Sequence, residues 1–91
     1  MYSDKEILGY LDKLTWDTTK TADDLLLVLK SKENTWEKKG LYIKLLNFFT
    51  WHKVRHIVSQ DQLPELLSEE VINGLFPRPL RDKYRYVRSL L

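Results

Sequence analysis

Arg78, Arg81, Arg85 and Arg88 step by three, four and three residues along the C-terminal stretch. On a helix of 3.6 residues per turn they fall within an arc of about 80°, so four guanidiniums would share one side. A guanidinium presents a planar fork that grips two oxygens at once, and carboxylates and phosphates both supply them. Arg81–Arg85 and Arg85–Arg88 are also like-charge neighbours, each costing an isolated helix roughly 0.2–0.5 kcal/mol. That repulsion needs an offset. An internal one would come from Asp61, Glu65, Glu69 or Glu70, or from the acidic N-terminal half; an external one from an acidic protein surface or nucleic-acid phosphates. Cations near a helix C-terminus also suit the dipole, which explains part of the row without any partner. Tyr84 and Tyr86 are interleaved with the arginines, and aromatics among cations can anchor a protein interface or stack a base.

His52 and His56 form the second group. Four residues apart on a helix, their imidazoles share a face, as a metal pair requires. The zinc-protease version puts a glutamate after the first histidine; here Lys53 stands there and repels a cation. With Arg55 also adjacent and no third ligand identifiable, no metal is expected. Asp23 and Asp24 are adjacent carboxylates, but a helix start explains them better than acid–base chemistry. No nucleophilic triad is discernible, and the three glycines are isolated, so no phosphate-cradling loop exists. No cofactor and no catalytic residue is therefore assigned.

Nucleic-acid binding has the arginine row in its favour. Against it, the net charge is only +2, and no zinc-finger, KH or RRM signature appears. A helix-turn-helix drawn from the last two helices would need a long, proline-bearing turn from Gly74 to Arg78. The charge is unevenly placed. Residues 1–37 hold eight acids against five lysines, leaving −3, and residues 38–91 hold five acids against ten Lys or Arg, leaving +5. Halves of opposite sign can attract each other within the fold or between copies, and a basic end can meet an acidic partner.

The chain has no cysteine, which excludes disulfides, thiolate metal sites and prenyl or palmitoyl anchors and fits a reducing compartment. The longest apolar run, Leu25 to Leu29, is far short of the roughly 20 residues of a membrane span. The opening MYSDKEIL lacks the basic-then-apolar order of a signal peptide. A soluble cytoplasmic protein is the expectation, with no membrane partner.

These residues must be positioned by a small scaffold. Its centre is predicted at GLYIKLLNFF, Gly40 to Phe49, where Glu37, Gly40, Lys44 and Asn47 fall on one narrow stripe and the rest is apolar. Such a helix needs neighbours on most sides. Around it, Ser3 with Glu6 reads as a capping box opening a helix to about Leu14, and Thr21 with Asp24 opens a second to about Lys30 or Ser31. Gly9 either weakens the first helix or admits a close neighbour. Asn34 or Thr35 caps the central helix, expected over 35–49. Thr50 is a break and a new cap, preferred over a strand for Trp51 to Val58. Leu63–Leu67 and Ser68–Asn73 read as one- or two-turn helices, with Gly74 closing the latter in the left-handed conformation. Phe76 to Pro79 should be extended, because a residue before proline avoids the α region. A last helix from Pro79 to about Leu90 buries Leu80, Tyr84, Val87 and Leu91. Trp16 is expected tucked onto the bundle end. The rings at Trp36, Tyr42, Phe48, Phe49 and Trp51 read mainly as core. Trp51 would be exposed if the helix ran straight and would turn inward if it broke at Thr50.

The expected fold is all-α: a compact single-domain bundle of about five to seven helices spanning residues 1–91 around the helix near 35–49. The functional expectation is a small non-enzymatic protein-interaction module. It would act through Arg78, Arg81, Arg85, Arg88, Tyr86 and Trp51, with a protein partner or a second copy of itself. The alternative is nucleic-acid binding through the same arginine row. No small-molecule substrate is evident.

Overall fold

Most helix starts are written locally. In a computed structural model, which describes residues 3–15, 20–31, 35–76 and 78–90, α1 spans Asp4–Asp12 behind the Ser3 cap. The Glu6 N–H donates to Ser3 Oγ at 3.3 Å, and the Ser3 N–H donates back to Glu6 at 3.3 Å. Thr21 and Asp24 repeat the box ahead of α2, Ala22–Lys30, at 3.3 and 3.1 Å. Thr35 caps α3, Trp36–Phe48, by accepting from the Lys38 N–H at 3.2 Å. Thr50 caps α4, Trp51–Ile57. Removing such a cap costs about 1 kcal/mol. A 3-10 turn, Gln60–Gln62, then leads into α5, Leu63–Leu66, where Pro64 sits in the first turn, which needs no N–H from it. α6, Glu69–Asn73, and α7, Arg78–Ser89, complete the chain.

The protein is all-α, with seven α-helices and no strand among the described residues. α1 packs on α2, α2 on α3, α3 on α4 and α6, and α6 on α7. One continuous core runs through them, from Ile7 and Leu11 through Leu41, Leu45 and Leu46 to Leu66, Ile72 and Tyr84. Burying each large aliphatic side chain contributes about 1.5–3 kcal/mol relative to leaving it in water. The radius of gyration, 12.3 Å, is that of a chain of this length packed around one centre. Among the described residues, no helix is long and apolar enough to cross a membrane.

The central helix is α3, but it is less enclosed than its sequence predicts. Lys38, Leu41, Tyr42, Leu45 and Leu46 are buried and occupy an arc of about 140°. Trp36 and Phe48 lie outside that arc and are exposed. The apolar circumference exceeds what the neighbouring helices cover. Trp36 is therefore surface rather than core, with the Lys39 ammonium over its ring.

Two local expectations are corrected, and a third is narrowed. Gly74 ends α6 with φ −82° and ψ −6°, a right-handed conformation open to any residue. What glycine supplies there is space: a Cβ would run into the Ile43 side chain of α3. α7 begins at Arg78, one residue before Pro79, so Arg78 is helical despite its proline neighbour. Gly9 faces open space among the described residues, which leaves the first of its two readings, a weakened helix, rather than a close neighbour. The expectations for Trp16, Asn34, Pro77 and Leu91 fall outside the described residues.

Candidate functional site

The arginine row lies beside the buried face of α7, and most of it is turned back onto the protein. Arg85 Nη2 donates to Glu69 Oε1 at 3.1 Å and to Asn73 Oδ1 at 2.9 Å. Arg88 Nη1 reaches Glu69 Oε2 at 2.7 Å and the Leu67 carbonyl at 3.4 Å. Arg81 Nε donates to the Leu75 carbonyl at 2.6 Å. The Leu67 and Leu75 carbonyls lie just past the ends of α5 and α6. Helices of four and five residues cannot sustain themselves, and the guanidiniums tether the chain just after each of them. The row is thus a clasp holding α5 and α6 to α7. Glu69 is its hub, and its carboxyl is held below the usual glutamate value, chiefly by the Arg88 hydrogen bond, with Arg85 adding to it. Arg78 makes no hydrogen bond or ion pair among the described residues.

The other two sequence candidates are not brought together. Trp51 turns inward after the Thr50 break. Its ring is half-buried and meets the buried Tyr84 edge-on, with centroids 5.8 Å apart. Tyr86 stands on the opposite side of α7, about 160° from Tyr84 on the helical wheel, and is 66% exposed. Leu90, one turn on, is also 66% exposed. Pro79, Lys83, Tyr86 and Leu90 therefore form an outward stripe at spacings of four, three and four. His52 and His56 meet ring to ring at 4.9 Å, and no third His, Cys, Asp or Glu joins them among the described residues.

A second region, unremarked in the sequence, is better enclosed. Lys38 is 1% exposed at the centre of the buried face of α3. Its ammonium donates to the Ser31 carbonyl and pairs with Glu65 Oε2 at 3.2 Å. The Tyr42 hydroxyl donates to the same oxygen at 3.3 Å. Burial pushes the Tyr42 phenol well above its ordinary value, and the Glu65 charge and hydrogen bond push the same way. The group borders a cleft of about 540 Å³. Ile7, Leu26, Leu29 and Ile57 supply its apolar wall, and Ser31, Lys38, Asp61, Gln62 and Glu65 supply polar atoms. Gln62 closes one side, its Nε2 donating to the Leu29 carbonyl at 2.5 Å. The wheel carries the signal that finds Lys38: a lone lysine flanked at helical spacing by Leu41, Tyr42 and Leu45. Its partner Glu65 lies two helices further on and leaves no such mark. Comparison with family models, with curated proteins and with solved structures gives no match.

Proposed function

We propose that this chain is a non-enzymatic interaction module that docks on a partner protein through the outward stripe of α7. The observation that carries the reading is the pair Tyr86 and Leu90, one helical turn apart and largely exposed. Aromatic and aliphatic side chains at this spacing are neighbours on a helix surface and are the usual anchors of helix-in-groove recognition. Lys83, within the stripe, and Arg78, at the start of the same helix, make no ion pair among the described residues. An apolar groove rimmed by acidic side chains is the matching surface. The nucleic-acid reading has less support. Arg81, Arg85 and Arg88 already hold intramolecular acceptors, and a phosphate would have to displace them.

The test retains interacting proteins on the immobilised chain and on two variants, Tyr86→Ala/Leu90→Ala and Arg78→Glu. A protein retained by wild type should be lost from the double variant and weakened by the charge reversal. Retention that ignores all three substitutions overturns the reading. Binding of a duplex or single-stranded oligonucleotide at low salt, insensitive to Tyr86 and Leu90 but steeply weakened by added salt, replaces it with the nucleic-acid one.

A further inference from the structure

The cleft bordered by Lys38 and Glu65 lies apart from the α7 stripe, and its chemistry is one-sided. At about 540 Å³ it falls within the 300–1,000 Å³ range of small-molecule sites, which pair apolar walls with a few placed polar groups. Its donors are largely committed. Lys38 serves Ser31 and Glu65, Lys30 pairs with Asp4 at 2.6 Å, and Gln62 donates to Leu29. Its acceptors are not. Lys38 and Tyr42 both use Glu65 Oε2, which leaves Oε1 without a partner among the described residues. Asp61 makes no hydrogen bond or ion pair there either. Lys30 and Lys38 both line the cleft, but Lys30 is neutralised by Asp4, so Asp61 and Glu65 against the remaining Lys38 charge leave the polar end net negative.

We infer that this cleft binds a small amphipathic amine, its apolar body against Leu26, Leu29 and Ile57 and its ammonium donating to Glu65 Oε1 and Asp61. A carboxylate ligand would face two like charges, and a neutral one would leave the acceptors half used. The inference is independent of the α7 stripe.

The full chain is titrated with 2-phenylethylamine, 2-phenylethanol and 3-phenylpropionate and followed by backbone amide NMR. The amine should saturate, with shifts confined to the cleft, and bind about tenfold more tightly than the alcohol, the worth of one charge-assisted hydrogen bond. Asp61→Asn, at an exposed position with no contacts to lose, should weaken the amine roughly three- to tenfold. Leu26→Trp should fill the cleft and remove binding of all three. Glu65→Gln should erase the preference for amine over alcohol; because that variant also strips a buried lysine of its partner, the Asp61 and Leu26 variants carry the test where it does not fold. Equal binding of amine and carboxylate overturns the inference. So do unsaturating shifts spread over the surface, and an affinity untouched by both Asp61→Asn and Leu26→Trp.

Discussion

Lys38 and the arginine row solve the same problem in two places. Each brings cations of one helix to a glutamate that follows α4 in the chain. Lys38 does it in the core, where its side chain is sealed and Glu65 is its one carboxylate partner among the described residues. Arg85 and Arg88 do it at the surface, where both share Glu69 with water. An interior pair contributes little net stability once desolvation is counted, yet breaking it leaves a charge stranded. An exposed pair contributes little and can be broken cheaply, because water replaces the lost partner. The lesson is that the conspicuous charge cluster is the forgiving one, and the solitary lysine is the one the fold depends on.

Five variants sharpen or break this contrast. Glu65→Gln should have the largest effect, about 3 kcal/mol in chemical denaturation, since it leaves the Lys38 ammonium buried and unpaired. Lys38→Met combined with Glu65→Gln should recover most of that loss, because an apolar replacement of the whole pair is often neutral. A double variant as unstable as the single would break the comparison. Tyr42→Phe comes next, at about 1 kcal/mol for one buried hydrogen bond. The raised Tyr42 and Tyr84 phenols add a pH signature. Their contribution is intact below about pH 10, the unfolded phenol value. It is lost as pH rises further, because the unfolded chain releases protons the folded chain still holds. Ultraviolet titration should find these two phenols ionising together with alkaline unfolding.

Glu69→Gln should shift the melting temperature less than either, and the shift should shrink in roughly 1 M salt, where the Debye length is about 3 Å. Glu69 has a lowered folded value, so its contribution is fully present above the unfolded glutamate value of 4.5. It fades as pH falls through the folded one. In Glu69→Gln that part of the acid sensitivity should disappear. Tyr86→Ala/Leu90→Ala should change stability least, within about 0.5 kcal/mol per site, while removing partner binding. A large destabilisation there would mean the stripe is part of the fold and not a docking surface.

The parts of this architecture legible in the sequence are those decided within four residues. Ser3 with Glu6, Thr21 with Asp24, Thr35 and Thr50 each begin a helix through their own hydrogen bonds. The helix content and the break before Trp51 follow from them. What depended on distant neighbours was not legible. Gly74 carries the composition of a left-handed cap, but Ile43 of α3 is what requires a glycine there. Trp36 has the look of a core ring, but it lies outside the buried arc of α3 and is exposed. The arginine row could be placed on the wheel, and Glu69 was among its possible internal partners. That the row also tethers the segments following α5 and α6 became visible only when Arg81 and Arg88 were found on the Leu75 and Leu67 carbonyls.

Between α3 and α4 only Phe49 and Thr50 leave helical geometry, both extended. If those two residues were helical, α3 and α4 would fuse into one rod of about 22 residues, about 33 Å long. The molecule's longest extent is 31 Å. Such a rod would carry Val54, Ile57 and everything beyond them away from α1–α3, leaving both halves to seek the complementary half of another copy. That is the geometry of segment exchange. Two extended residues at the Thr50 cap thus turn the C-terminal half back onto its own chain, and a substitution that made them helical would favour exchange of halves between copies.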